Sequence, residues 1–127
     1  MGIFSFLKSE DSEKAAFDWK QLTEESQLQE IIEASKVKPQ VLFKHSTRCS
    51  ISSMALTRFE REGKELLNDA DVYYLDLITY RPISNAIAEE LNVVHQSPQA
   101  IVLVGGKVIY DASHSDISAT TIIEKIK

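Results

Sequence analysis

Short apolar runs and stretches of helical period alternate along the chain. FDWKQL, residues 17–22, has the length of a short edge strand. Thr23, followed by Glu24 and Glu25, reads as a helix start with acidic residues in its first turn. Leu28, Ile31 and Ile32 then recur at helical spacing. Lys38-Pro39 breaks that helix, because the residue before a proline is pushed out of the α region. QVLFKHS, residues 40–46, is apolar enough for a central strand covered on both faces. Residues 50–62 return to helical period, with Ile51, Met54, Ala55 and Phe59 on one face and Arg58, Glu60, Arg61 and Glu62 mostly opposite. DVYYLDLI, residues 71–78, is β-branched and aromatic and predicts a third strand. Pro82 opens another helix, carried by Ile83, Ala86, Ile87 and Leu91. QAIVLV and KVIYD flank Gly105-Gly106, a tight hairpin whose turn needs positive φ. Ser115 or Asp116 caps a last helix with Ile117, Ile122, Ile123 and Ile126.

The predicted order is βαβαβαββα. Three strands each followed by a helix favour parallel pairing with right-handed crossovers, whereas the final hairpin must be antiparallel. The fold class is therefore α/β, a mixed sheet with helices on both faces, in the layout of a thioredoxin-like domain. Residues 16–127 form this one domain, and residues 1–15 are read as a mobile N-terminal tail. The sharper alternative for the tail is a weak docking segment through Ile3, Phe4, Phe6 and Leu7.

Charge narrows the partners. A formal net charge of -5 gives no basic field for a phosphate backbone, so nucleic acid is not expected. No apolar stretch approaches the roughly 20 residues needed to cross a bilayer, and no membrane association is expected. Gly2 is followed by Phe6 where myristoylation needs serine or threonine, and the apolar start lacks the basic region of a secretory signal. The chain has one cysteine, so it forms no internal disulfide. A lone free thiol fits a reducing compartment, and the expected location is cytoplasmic.

That cysteine, Cys49, falls where the second strand gives way to the second helix, inside the polar segment STRCS. Unpaired N–H groups at a helix start, here those of Ile51 and Ser52, and the helix dipole favour an ionised sulfur. Arg48 adds a full positive charge beside it. Three residues on, where a dithiol oxidoreductase carries its second cysteine, stands Ser52. A CxxS site cannot resolve its own mixed disulfide and must wait for an outside thiol. Ser52 is also a candidate donor to the Cys49 thiolate, with capping or plain solvation the competing roles. Ser97-Pro98, just before the fourth strand, stands where thioredoxin-like domains place a cis-proline. Its backbone there would pair with an extended substrate as an added strand.

STRCSIS after one strand, LITYRPISNAIAEEL after the next, and HQSPQAIVLVGGKVIYDASHSDI together resemble the monothiol bacilliredoxins of the YtxJ type, thioredoxin-like proteins of the bacillithiol system. The resemblance spans about residues 16–127. It implies a cytoplasmic thiol-disulfide oxidoreductase that removes bacillithiol from S-bacillithiolated client proteins, with Cys49 attacking the mixed disulfide and carrying bacillithiol itself. Bacillithiol or another redoxin would regenerate it, so bacillithiol is the implied thiol co-substrate. Thr47, Arg81, Ser97 and Pro98 are the implied substrate-binding residues, and Arg48 and Ser52 the thiolate-stabilising ones. Bacillithiol carries malate carboxylates and an amino sugar, chemistry that Arg48 and Arg81 suit. TYRP places Arg81 on the rim where open α/β sheets bind ligands. SHSD, with Ser115 and Asp116, corresponds to a rim that grips thiol cofactors in glutaredoxin-like relatives, although capping explains it equally.

The three histidines and one cysteine give no zinc spacing, and no metal is expected. His45 reads as a hydrogen-bonded histidine near the strand end in preference to a Cys-His ion pair. Asp76 reads as a strand-end carboxylate with a partner in preference to a buried proton-transfer acid. Two other functions remain open at this point. A monothiol glutaredoxin-like iron-sulfur scaffold would use one cysteine per subunit, though Ser50 and Ile51 depart from its Cys-Gly-Phe-Ser pattern. A non-enzymatic thioredoxin-like adaptor would keep the fold without using the thiol.

Overall fold

The computed structural model describes residues 17–127; the tail and its docking segment lie outside them. Five strands, β1 (Lys20–Gln21), β2 (Gln40–His45), β3 (Asp71–Asp76), β4 (Gln99–Val104) and β5 (Lys107–Ser113), alternate with four helices. The helices are α1 (Ser26–Ala34), α2 (Ser50–Glu62), α3 (Arg81–Glu90) and α4 (Ala119–Ile126). The sheet order is β1-β3-β2-β4-β5. β3 runs parallel to both β1 and β2, while β2–β4 and β4–β5 are antiparallel. The predicted element order and mixed sheet are those of the structure.

Burial explains the layering. Every residue of β2 is buried, as its unbroken apolar run implies for a central strand. Alternate residues feed two cores. Val41 and Phe43 of β2 point into one, with Ala55 and Phe59 of α2 and Ala119 and Ile122 of α4. Leu42 enters the other, with Leu28 and Ile31 of α1 and Ile83 and Ile87 of α3. Helices thus cover both faces.

Gly105 and Gly106, at φ 66° and 80°, turn the β4–β5 hairpin, and their N–H groups donate to the carbonyl and hydroxyl oxygens of Ser35 at the end of α1. A Cβ at Gly105 would meet nothing within 4 Å, so only the backbone conformation penalises a side chain there. Gly105→Ala is therefore expected to lower stability by about 1–2 kcal/mol, read as a shift of the urea midpoint with an unchanged slope.

Three local expectations need correction. The N-cap of α1 is Glu25 with no side-chain cap bond, and neither Thr23 nor the acidic pair lies in its first turn. Instead Gln27 Oε1 accepts from the Thr23 and Glu24 N–H groups at 2.8 and 2.9 Å, tying the incoming chain to the first turn, while the Gln27 and Leu28 N–H groups donate to the Glu24 and Glu25 carbonyls. The cap of α4 is Ser118, whose hydroxyl accepts from Thr121 N–H, while Ser115 and Asp116 belong to a separate 3-10 turn, His114–Asp116. Ile51 and Met54 do not join Ala55 and Phe59 in the core: they are 59% and 71% exposed. Ser52 and Ala55, in the same two turns, are buried, so the face of α2 that meets the sheet is Ser52, Ala55 and Phe59, and Ile51 and Met54 lie to its side.

Candidate functional site

The chain reversals at one end of the sheet collect the chemistry. β2 ends at His45 and leads through Ser46–Arg48 to Cys49; β3 ends at Asp76 and leads to Arg81. Gln99, at the start of the antiparallel β4, lies opposite both Lys44 and Ser113, so Ser97-Pro98 and the His114–Asp116 turn share that rim. His114 N–H donates to the Pro98 carbonyl at 3.1 Å. The Ser97-Pro98 peptide bond is cis, as its location predicted.

Cys49 is half-buried and occupies the N-cap position of α2 with an extended backbone, φ -115° and ψ 121°. Its N–H donates to the Ser46 carbonyl at 3.2 Å, closing the turn, and its carbonyl accepts the first intrahelical bond from Ser53 N–H at 3.0 Å. The amides of Ile51 and Ser52 thus stand at the free start of the helix, although the sulfur itself takes no capping bond. Among the predicted residues around it, Thr47, Arg48 and Arg81 are exposed, Ser97 is half-buried, and Pro98 and Ser52 are buried. Neither arginine pairs with a carboxylate among the described residues.

Ser52 is turned inward. Its Oγ lies 2.8 Å from His45 Nδ1 and accepts from Ser46 N–H at 3.0 Å, and Cys49 sulfur is not among its partners. The side chain therefore clasps the Ser46–Cys49 turn to the end of β2; it neither donates to the thiolate, the candidate role its spacing offered, nor is it merely solvated. His45, fully inside this clasp, has its pKa lowered by burial against the upward pull of Asp76 and Glu60. It is the hydrogen-bonded strand-end histidine that the sequence favoured. Ser52→Ala leaves the buried His45 Nδ1 and the half-buried Ser46 N–H without this partner, at an expected cost of about 1–3 kcal/mol, measurable as a lower urea midpoint. Asp76 likewise serves a turn: burial works against its charge, yet donors from Thr79 and Ile78 hold its carboxyl below the ordinary value.

Sequence reasoning missed a second polar group. Lys44 is fully buried on the face opposite His45, and its Nζ donates to His95 Nδ1 at 2.7 Å. Since an ammonium has only donors, that nitrogen must be the acceptor and His95 the neutral Nε2–H form. Ser84 Oγ lies 3.4 Å from the same nitrogen. Burial, reinforced by the nearby Arg81 charge, brings the Lys44 pKa down to about 8. Burial, then Lys44 and Arg81, also lowers that of His95. The signal was present: in VLFKH, strand alternation puts Lys44 on the side of Leu42, hence inside.

The family described as monothiol bacilliredoxin BrxC matches residues 20–122. The chain belongs to the monothiol bacilliredoxin family. Solved structures agree on the fold of this bacilliredoxin. A structure described as a proposed oxidoreductase with a thioredoxin fold is 30% identical, with a TM-score of 0.75, covering 90% of this chain and 97% of its own. The thioredoxin of Fasciola hepatica is 18% identical with a TM-score of 0.63, covering 84% of this chain and 95% of its own. The thioredoxin of Malassezia sympodialis is 15% identical with a TM-score of 0.65, covering 86% and 88%. Family membership carries a bacilliredoxin-type thiol redox role, and the single cysteine makes the site monothiol.

Proposed function

We propose that this bacilliredoxin removes bacillithiol from S-bacillithiolated proteins in the cytoplasm, through a mixed disulfide on Cys49. The observation that carries the reading is the position of the chain's one cysteine, half-exposed at the N-cap of α2, with a serine already committed elsewhere where a resolving thiol would stand. The Cys49 thiolate attacks the bacillithiol sulfur of a client mixed disulfide. The client–bacillithiol S–S bond breaks, a Cys49–bacillithiol S–S bond forms, and the client leaves as a thiolate that takes a proton from water. With no internal thiol to complete the cycle, the adduct persists until a second bacillithiol or another redoxin attacks it, releasing bacillithiol disulfide in the first case.

Arg48 and Arg81, exposed on the rim and without a carboxylate partner among the described residues, fit the malate carboxylates of bacillithiol. Thr47 flanks the sulfur, and the Ser97 backbone ahead of Pro98 is the pairing edge for an extended client segment. The exposed Ile51 and Met54 offer that client an apolar surface beside the thiol.

Incubation with a bacillithiolated client, followed by intact-mass measurement of both proteins, tests the reading. The expected result is a gain of one bacillithiol on this chain and an equal loss from the client. Faster processing of a glutathionylated client would overturn the choice of thiol, and no transfer from either client would overturn the exchange chemistry.

A further inference from the structure

Lys44 is an expensive residue for its position. It is wholly inside, flanked by Leu42 and Leu75, and no carboxylate pairs with it among the described residues. A leucine or methionine would fill the same core without desolvating a charge. What an apolar side chain could not do is reach the loop that joins α3 to β4.

That loop needs holding. Between Leu91 and Gln99 the backbone makes no strand ladder; Val93 N–H donates to the Ala88 carbonyl at 3.1 Å at its start. Its central residues are fixed by two side chains rising from the sheet. Lys44 and Gln99 are direct cross-strand partners, so they share a face. Gln99 Nε2 donates to the Val94 carbonyl at 3.0 Å, and Lys44 Nζ to His95 Nδ1 at 2.7 Å. Two neighbouring buried donors thus grip two consecutive loop residues, and Ser97-Pro98 follows immediately.

We infer that Lys44 and His95 are positioning residues: their bond sets the height and orientation of the Ser97-Pro98 edge beside Cys49, and with it client binding. This deepens the exchange reading given above and rests on it. The bond requires an unprotonated Nδ1. The groups facing His95 are Lys44 from β2, Arg81 and the neutral Ser84 from α3, and Glu89, which lines the same surface groove. The two cations outweigh the single carboxylate and favour the neutral ring, so the grip holds at neutral pH and is lost as pH falls below the ordinary histidine value of 6.5. Loss of the Lys44 proton above about pH 8 leaves an amine that still donates.

The test compares wild type, Lys44→Met, which keeps length and core packing, and His95→Gln, which keeps an acceptor but does not titrate. Three readouts are needed: KM and kcat on a bacillithiolated client, the rate of Cys49 with a small aromatic disulfide, and the NMR backbone order parameters of Val94 and His95. Lys44→Met is expected to raise the client KM about 10-fold with kcat and the small-disulfide rate unchanged, and to lower the order parameters of both loop residues. His95→Gln should match wild type at pH 7 and abolish the rise in KM expected of wild type below pH 6.5. An unchanged client KM and unchanged order parameters in Lys44→Met overturn the inference. So does an equal slowing of client and small disulfide, or an acid-side rise that survives in His95→Gln. If wild type itself transfers no bacillithiol, the exchange reading has failed, and the order parameters alone then decide whether Lys44 fixes the loop.

Discussion

Cys49→Ser is expected to reduce bacillithiol transfer to background while leaving the fold intact. No other thiol exists in the chain to substitute, and the nearest hydroxyl three residues on is occupied with His45 and the Ser46 amide. A serine hydroxyl is a poor nucleophile without an adjacent base, and among the described residues the side chain of residue 49 makes no hydrogen bond to a base. Loss of exchange through misfolding is not expected, because serine is a favoured N-cap residue and the site is only half-buried. The thermal midpoint should therefore hold or rise slightly. Intact mass would show no adduct on the variant and an unaltered client. An adduct on Cys49→Ser, or continued release of the client thiol, would remove the central role of this sulfur. The same variant addresses the adaptor alternative, since a binding function that ignores the thiol would survive it.

Phe59→Ala should produce the largest loss of stability, about 3–5 kcal/mol. Phe59 is 1% exposed and is the contact through which α2, the helix that begins at Cys49, lies on the sheet. Its ring stacks on Trp19 at 5.7 Å, meets Phe43 edge-on at 5.1 Å and lies 5.7 Å from Phe17. Trp19 Nε1–H also donates to Glu60 Oε2 at 2.6 Å, so the edge of the sheet and α2 are joined by a polar and an apolar contact side by side. Removing the ring empties the centre of this aromatic group, and rigid backbone on both sides prevents collapse. A domain of this size has about 5–15 kcal/mol in total, so the melting temperature should fall on the order of 10–20 °C. A drop of only a few degrees would mean that α2 is held chiefly by the polar contact and by Ala55.

The strands and helices were legible because each depends on a short-range pattern. QVLFKHS read as a central covered strand and Gly105-Gly106 as a tight hairpin turn, and both are so in the structure. Helix ends were less so. Thr23 looked like a cap, yet its own N–H donates to Gln27 and the helix starts later, after Glu25, with no side-chain cap; Ser115 and Asp116 looked like caps, yet Ser118 is the cap. Local sequence offers several side chains of similar capping ability, and small differences in the path of the incoming chain choose among them. The apolar face of α2 was misjudged for a related reason. A broad apolar stripe does not say which of its edges meets the sheet, and packing chose Ser52, Ala55 and Phe59, leaving Ile51 and Met54 to the side.

At the site the division is the same. The sequence by itself determined the chemistry: one cysteine, a serine in place of a second, a proline before the fourth strand and an arginine after each of two strands, all of which follow from residue identity and spacing. Only the tertiary structure decided the connections. It turned Ser52 toward His45 instead of the sulfur, and it brought the buried Lys44, Ser84 and Gln99, from two strands and a helix, up against Val94 and His95 of one exposed loop. Lys44 and His95 are 51 positions apart, and even a contact as short in sequence as Ser52 to His45 joins two different elements; such a hydrogen bond is decided by fractions of an ångström in the packing of the layers that carry its two ends.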